Sequence, residues 1–227
     1  FDEDKELNAK VLREGNATKE LNRMLEEKNV KALDWILEDF SCWTSNKPIR
    51  TLEDFQGLKI RVMESPMDIE GVRVLGANPT PISFAEVYSA LQLNMVDGQQ
   101  NPIVIINSNK FYEVQKYLTL SNHTVVVDIV ASNPDFWDSL SHEDQEKLNK
   151  VFLKVNALII EQQGVQTAEA LEEIKAAGTT EIIELSAEEK EKFIEASAKA
   201  EDKFIELAGE NGKKILDLFI QDMENFR

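Results

Sequence analysis

Residues 57–102, GLKIRVMESPMDIEGVRVLGANPTPISFAEVYSALQLNMVDGQQNP, switch hydrophobic period several times in quick succession, and this alternation decides the fold class. Residues 58–63 alternate as a strand does, 67–75 have helical spacing, 80–82 form a short extended segment, and 84–94 are helical again. A strand or turn over 95–101 and a helix through 108–116 continue the rhythm. A βαβα succession predicts an α/β lobe with its sheet covered by helices. Two segments within it read first as connections. In 76–81 two prolines fix the direction of the chain, and 97–102 packs amide side chains into a turn before a proline.

Upstream, residues 2–28 predict one helix, with Leu7, Val11, Leu21 and Leu25 recurring at helical steps among charges. The apolar-rich run 30–40 predicts a buried strand. Downstream, Val125, Val126, Val127, Ile129 and Val130 form the strongest strand signal, ending before Pro134. Helices follow: a long one to about residue 177 after Ser141, one from the capping Ser186 to about 209, and a last one over 213–226, with a short strand at 181–184. The strands at 31–40 and 124–131 are candidates to cross between lobes. Ile194, Ala198, Ile205 and Ala208 form a narrow apolar stripe suited to packing on a lobe.

Charge and composition remove several function classes. There are 42 acidic and 25 basic side chains, a net charge of −17, and residues 134–227 hold most of the excess acid. Such a chain repels nucleic acid and anionic lipid. Its apolar runs fall far short of the roughly 20 residues a membrane span needs. The single cysteine, Cys42, excludes a disulfide framework and a cysteine-based zinc site. No nucleophile elbow, phosphate loop, dinucleotide fingerprint or zinc-protease motif is present, so no enzyme activity is expected. His123 and His142 lie on dissimilar elements, and neither a metal nor a cofactor is expected. Cys42 reads as a small buried hydrophobe in preference to a nucleophile served by His123.

Arg61 is the conspicuous residue. An arginine among the apolar side chains of a strand needs an acceptor, because burying an unpaired charge is costly. Two readings stay open from the residues alone: an ion pair with Glu64 or Asp97, or a bidentate clamp on a ligand carboxylate. Phe84 either caps the next helix or faces a ligand.

Three stretches in order, GLKIRVMESP (57–66), LGANPTPISFAEVYSALQLNMVDGQQNP (75–102) and KFYEVQKYLTLSNH (110–123), resemble the signature region of the solute-binding proteins of TRAP (tripartite ATP-independent periplasmic) transporters of the DctP type. The resemblance implies a two-lobed α/β fold of the periplasmic binding protein type II kind, with long inter-lobe strands and a long helix. It implies residues 1–38 and 127–166 in lobe I, and 39–126 and 167–227 in lobe II with the C-terminal helices. It further implies a periplasmic protein that captures a small organic acid anion by hinge closure and delivers it to the membrane permease subunits, without inserting in the membrane. Arg61 takes the place of the family's carboxylate anchor, Asn101 that of a pocket asparagine, and Phe84 that of a pocket aromatic. Met63, Glu64 and Ser65 follow at the cleft lining, and Asn122 and His123 are expected in a hinge or buried network. Trp43 is open between stacking on a sugar face and packing between lobes.

Two departures sharpen the expectation. Ser41 stands where sialate-binding members carry a second arginine, so a C4-dicarboxylate, a uronate or other sugar acid, or a hydroxy acid is expected before sialate. The chain opens at Phe1, past the strand–helix–strand–helix section with which the family begins, so the first lobe is expected to be incomplete and the chain to be a fragment. The rival from another class is a helical scaffold without a small-molecule ligand, which requires an apolar stripe exposed on the C-terminal helices.

Overall fold

The computed structural model describes residue 2 and residues 4–227. Phe1 and Glu3, both in the expected first lobe and Glu3 also in the expected first helix, lie outside the described residues. In chain order the elements are α1 (Lys5–Glu14), α2 (Asn16–Glu26), β1 (Lys31–Ser45), β2 (Lys59–Val62), α3 (Pro66–Val74), β3 (Asn78–Pro81), α4 (Val87–Gln92), β4 (Gly98–Pro102) and α5 (Ile103–Ser108). They continue with β5 (Tyr117–Leu120), β6 (Val125–Ser132), α6 (Pro134–Ser139), α7 (His142–Ala177), β7 (Glu181–Glu184), α8 (Ala187–Ala198) and α9 (Ala200–Phe226). No helix among them is long and apolar enough to cross a membrane.

The chain divides into two compact units. One comprises the segment ending at Asp39, Val125–Val165 and Ala208–Arg227; the other comprises Phe40–Thr124 and Gln166–Leu207. Residues 208–227, grouped with the second lobe in the sequence reading, fall in the first unit. Asp222 and Met223, both buried, tie them there.

The second unit is built on strands in the order β3-β2-β4-β1-β5-β7. β1 runs antiparallel to β4 and β5, while β2 is parallel to β3 and β4, and β5 to β7. β3 takes the edge because Pro79 and Pro81 have no N–H to give a further strand, while Asn78 and Ile82 donate to the Leu58 and Val62 carbonyls. Successive strand residues feed opposite faces. Cys42 joins Val87, Leu91, Ile106, Phe111, Leu118 and Ile174 on one side. Trp43 joins Phe55, Ile60, Val62, Leu75 and Phe193 on the other. Each large side chain so buried contributes about 1.5–3 kcal/mol.

In the first unit, β6 pairs with β1. Amides of α7 hold β1 by its carbonyls: Asn156 donates to Trp35 O at 2.9 Å and Gln163 to Leu37 O at 2.8 Å. The helix expected over 2–28 is broken at Gly15, which is extended (φ −64°, ψ 153°). There the Asp222 carboxylate accepts the Ala17 N–H at 2.8 Å and the Asn16 amide at 3.0 Å, capping the start of α2. A cap arriving from the far end of the chain leaves no local periodicity to read.

Other expectations change for similar reasons. β1 extends to Ser45, beyond the predicted end at 40, because its polar residues Ser41 and Thr44 are buried inside a sheet. Of the strand or turn left open over 95–101, the strand forms as the central β4, and the short extended segment expected over 80–82 begins earlier, at Asn78, as β3. The helix expected over 108–116 lies earlier, at α5, and left-handed Lys110 (φ 57°) stops it before a single 3-10 turn at Phe111–Glu113. The helix expected over 84–94 begins as a 3-10 turn at Phe84–Glu86. The helix from Ser186 ends at Ala198, and α9 continues through a kink at Gly209 (φ 61°) into the expected last helix. The packing stripe of α8 is Phe193 and Ala196, with Ile194 70% exposed beside Glu195. Of the expected stripe, Ala198 and Ala208 are exposed as well and Ile205 is half-buried; scattered exposed apolar residues of this kind are ordinary on a globular surface.

Candidate functional site

Strand register gathers the candidate residues on one face. In the parallel pair, Ile60 lies opposite Gly98, so Arg61 and Gln99, one step on, point to the side away from Ile60. In the antiparallel pair, Gln99 faces Thr44 and Asn101 faces Cys42. Arg61, Gln99, Asn101, Thr44 and Cys42 therefore share the face that Phe111 covers, and Trp43 and Gln100 share the other.

Arg61 is only 4% exposed. Its Nε donates to Ile82 O at 2.9 Å, and its guanidinium carbon lies 5.9 Å from the centre of the Phe84 ring. Phe84 is itself held edge-on to Phe111, with centroids 6.1 Å apart, while remaining 48% exposed. The two terminal amino groups of Arg61 have no hydrogen-bond partner among the described residues. The ion pair with Glu64 or Asp97 considered from the sequence is absent there. Asp97 accepts from the Lys59 N–H and pairs with Lys47 instead.

The charge neighbour of Arg61 is Asp68, in the first turn of α3, a residue the sequence reading missed. Burial lowers the pKa of Arg61, and Asp68 opposes that shift. Burial likewise raises that of Asp68, with Arg61 opposing. Asp68 Oδ2 is buried with no hydrogen-bond partner among the described residues. Neither charge is closed off by the other, so the site keeps an unsatisfied cationic fork.

Asn101 is half-buried, and its amide donates to Gln99 Oε1. Gln99 donates in turn to Thr44 Oγ1 at 3.0 Å, and both Gln99 and Thr44 are fully buried. Neither was singled out from the sequence, because a Gln-Gln-Asn strand carries no apolar alternation to mark it. Met63 and Glu64 are exposed beyond the end of β2, and Ser65 caps α3, its Oγ accepting the Asp68 N–H at 3.5 Å.

Trp43 corrects an expectation. It is 1% exposed, stacked on His123 and edge-on to Phe55 at 5.0 Å, so it has no ring face free for a sugar. His123 sits in a neutral network: its Nε2 meets Gln100 Oε1 at 2.5 Å and its Nδ1 meets Ser121 Oγ at 2.7 Å. Burial pushes its pKa down to about 3. Cys42 is buried and its thiol faces Asn122 Oδ1 at 3.4 Å, while both ring nitrogens of His123 are engaged elsewhere. Among the described residues no group of three or more His, Cys, Asp or Glu is arranged to hold a metal ion.

The model of the family described as bacterial extracellular solute-binding protein, family 7 (DctP), matches residues 1–207. The chain is 40% identical over 157 residues to the sialic acid-binding periplasmic protein of Vibrio cholerae, covering 69% of this chain and 49% of the relative. It is 36% identical over 177 residues to the C4-dicarboxylate-binding periplasmic protein of Rhodobacter capsulatus, covering 78% of this chain and 53% of that one. The chain thus spans about half the length of these curated relatives. The solved structure of the periplasmic ectoine-binding protein of the Halomonas elongata TRAP transporter superposes with a TM-score of 0.94 at 33% identity, covering 99% of this chain and 73% of that one. A TRAP periplasmic solute-binding protein from Desulfovibrio salexigens with bound orotic acid also gives 0.94, at 32% identity, covering 100% and 73%.

Proposed function

This chain belongs to the bacterial extracellular solute-binding proteins of family 7, and from that membership we propose that it is the solute-binding part of a TRAP transporter. It takes up a small organic acid anion outside the cytoplasm, performs no chemistry on it, and passes it to a membrane permease. The observation that carries this reading is Arg61: a buried guanidinium, backed by Phe84, whose terminal amino groups have no protein acceptor among the described residues. A planar fork held this way is complementary to a carboxylate, which accepts both N–H bonds in one plane. The compounds named for the relatives described above (sialic acid, C4-dicarboxylates, ectoine, orotic acid) each carry at least one carboxylate.

Asn101 adds an amide beside the fork, and Phe84 offers an apolar wall to the body of the ligand. Ser41 contributes no second cation, which favours a C4-dicarboxylate, a sugar acid or a hydroxy acid over sialate. Binding is coupled to hinge closure, since a ligand shifts a conformational equilibrium by its differential affinity for the two states.

Calorimetry against C4-dicarboxylates, uronates, aldonates, hydroxy acids and sialate tests the reading. One of these acids binds, and Arg61→Ala weakens it by about 2–5 kcal/mol, the range for removing one partner of a desolvated charge pair. Equal affinity in Arg61→Ala overturns the reading.

A further inference from the structure

We infer that Gln99 is a positioning residue that orients the Asn101 amide toward the ligand, with Thr44 as its fixed end. The inference rests on the reading of Arg61 and Asn101 as ligand contacts. Gln99 is fully buried and both polar atoms of its side chain are bonded within the protein, unlike the terminal amino groups of Arg61, so it does not meet a ligand itself. A buried amide is not required for stability, because an apolar side chain of the same shape is often neutral or better in such a place. What the amide adds is direction. Its oxygen accepts from Asn101 Nδ2 and its nitrogen donates to Thr44 Oγ1. Thr44 is anchored near the C-terminal end of β1, between β4 and β5, with no exposure.

Each polar atom of the Gln99 side chain is therefore committed, and Asn101 is tethered by one amide hydrogen. Its Oδ1 and its second amide hydrogen have no partner among the described residues. Register places Gln99 one residue past the Ile60–Gly98 pair, next to Arg61 on the same face. The tether consequently sets where the Asn101 amide stands relative to the guanidinium. Without it the half-buried Asn101 side chain samples several rotamers, and ordering one of them falls to the ligand.

A double-mutant cycle on the full chain tests this, using succinate, D-galacturonate and orotate as probes. Gln99→Met keeps the volume and removes the tether. It is expected to weaken the bound probe roughly tenfold in the parent, the size of one lost hydrogen bond, and to change nothing further in Asn101→Ala. Thr44→Val is expected to act in the same direction and Thr44→Ser to restore affinity. The side-chain amide resonances of Asn101 supply a readout without ligand, and in Gln99→Met they move toward solvent-exposed values. Equal losses from Gln99→Met with and without Asn101 overturn the inference, as do unmoved Asn101 resonances. A probe that Arg61→Ala weakens but Asn101→Ala does not overturns the positioning role and leaves the Arg61 reading standing. Failure of every probe to bind the parent overturns both.

Discussion

Trp43 and His123 lie ring on ring, with centroids 4.2 Å apart and planes 11° from parallel. Ser121 and Gln100 stand on the two ring nitrogens, and burial, only partly opposed by a backbone hydrogen bond at Ser41, keeps the imidazole neutral. Its folded pKa is about 3, against an ordinary value of 6.5. Between these values the unfolded chain binds a proton that the folded chain refuses, so this contribution to stability falls as pH drops. Urea denaturation at pH 6.5 and 5 is expected to show a loss of up to about 2 kcal/mol from this group. His123→Gln flattens the slope, and an unchanged slope overturns the assignment.

Glu38 works in the opposite direction. Its pKa is raised to about 7 by burial, with the neighbouring Asp128 carboxyl adding to the shift. The folded state holds a proton there that the unfolded chain releases above about 4.5, so stability is lost as pH rises through neutrality. Glu38→Gln is expected to stabilise the protein by about 1 kcal/mol at pH 8, allowing for solvent screening, and to be near neutral at pH 5. Thermal melts at the two pH values separate the outcomes.

Gly15 and Asp222 should fail together. A Cβ at Gly15 would overlap Val11 O and lie 2.7 Å from Asp222 Oδ2, so Gly15→Ala has to displace the cap. Asp222→Ala leaves the Ala17 N–H without its acceptor, at a cost of about 1–3 kcal/mol. In a denaturation cycle the double variant is expected to lose much less than the sum of the two, because both remove one interaction.

At the candidate site, Arg61→Lys is expected to behave like Arg61→Ala in ligand affinity, since a point charge on a flexible stem does not reproduce the planar fork. Phe84→Leu preserves an apolar wall and removes the ring beneath the guanidinium, with an expected loss of about 0.5–2 kcal/mol. Calorimetry on the three variants ranks them. Full affinity in Arg61→Lys would favour simple charge attraction.

The legible part of the site was Arg61, because a charged residue inside an apolar strand advertises itself. Asn101 and Phe84 came from the resemblance, and spacing alone left 95–101 open between strand and turn. The hidden part was the tether. Gln99 and Thr44 are polar residues whose burial arises from β1 lying across β4, a pairing that no window of local sequence contains. Asp68 escaped for a related reason: it belongs to α3, and its proximity to Arg61 is made by the turn between β2 and that helix. Trp43 was open between a platform for a sugar and a packing role, and only the enclosure by Phe55 and His123 shows it packed.

By itself the amino-acid sequence determined the elements whose periodicity is strong and local: Lys59–Val62, Pro66–Val74, Val125–Ser132, the long helix to Ala177, and Glu181–Glu184 after it. It also determined that the net charge is acidic. Tertiary structure decided the break at Gly15, the choice of strand at Gly98–Pro102, the burial of Trp43 and the fork of Arg61, unpaired among the described residues. Each depends on groups brought together from distant parts of the chain, and such pairing energies leave no mark on the hydrophobic period of either segment.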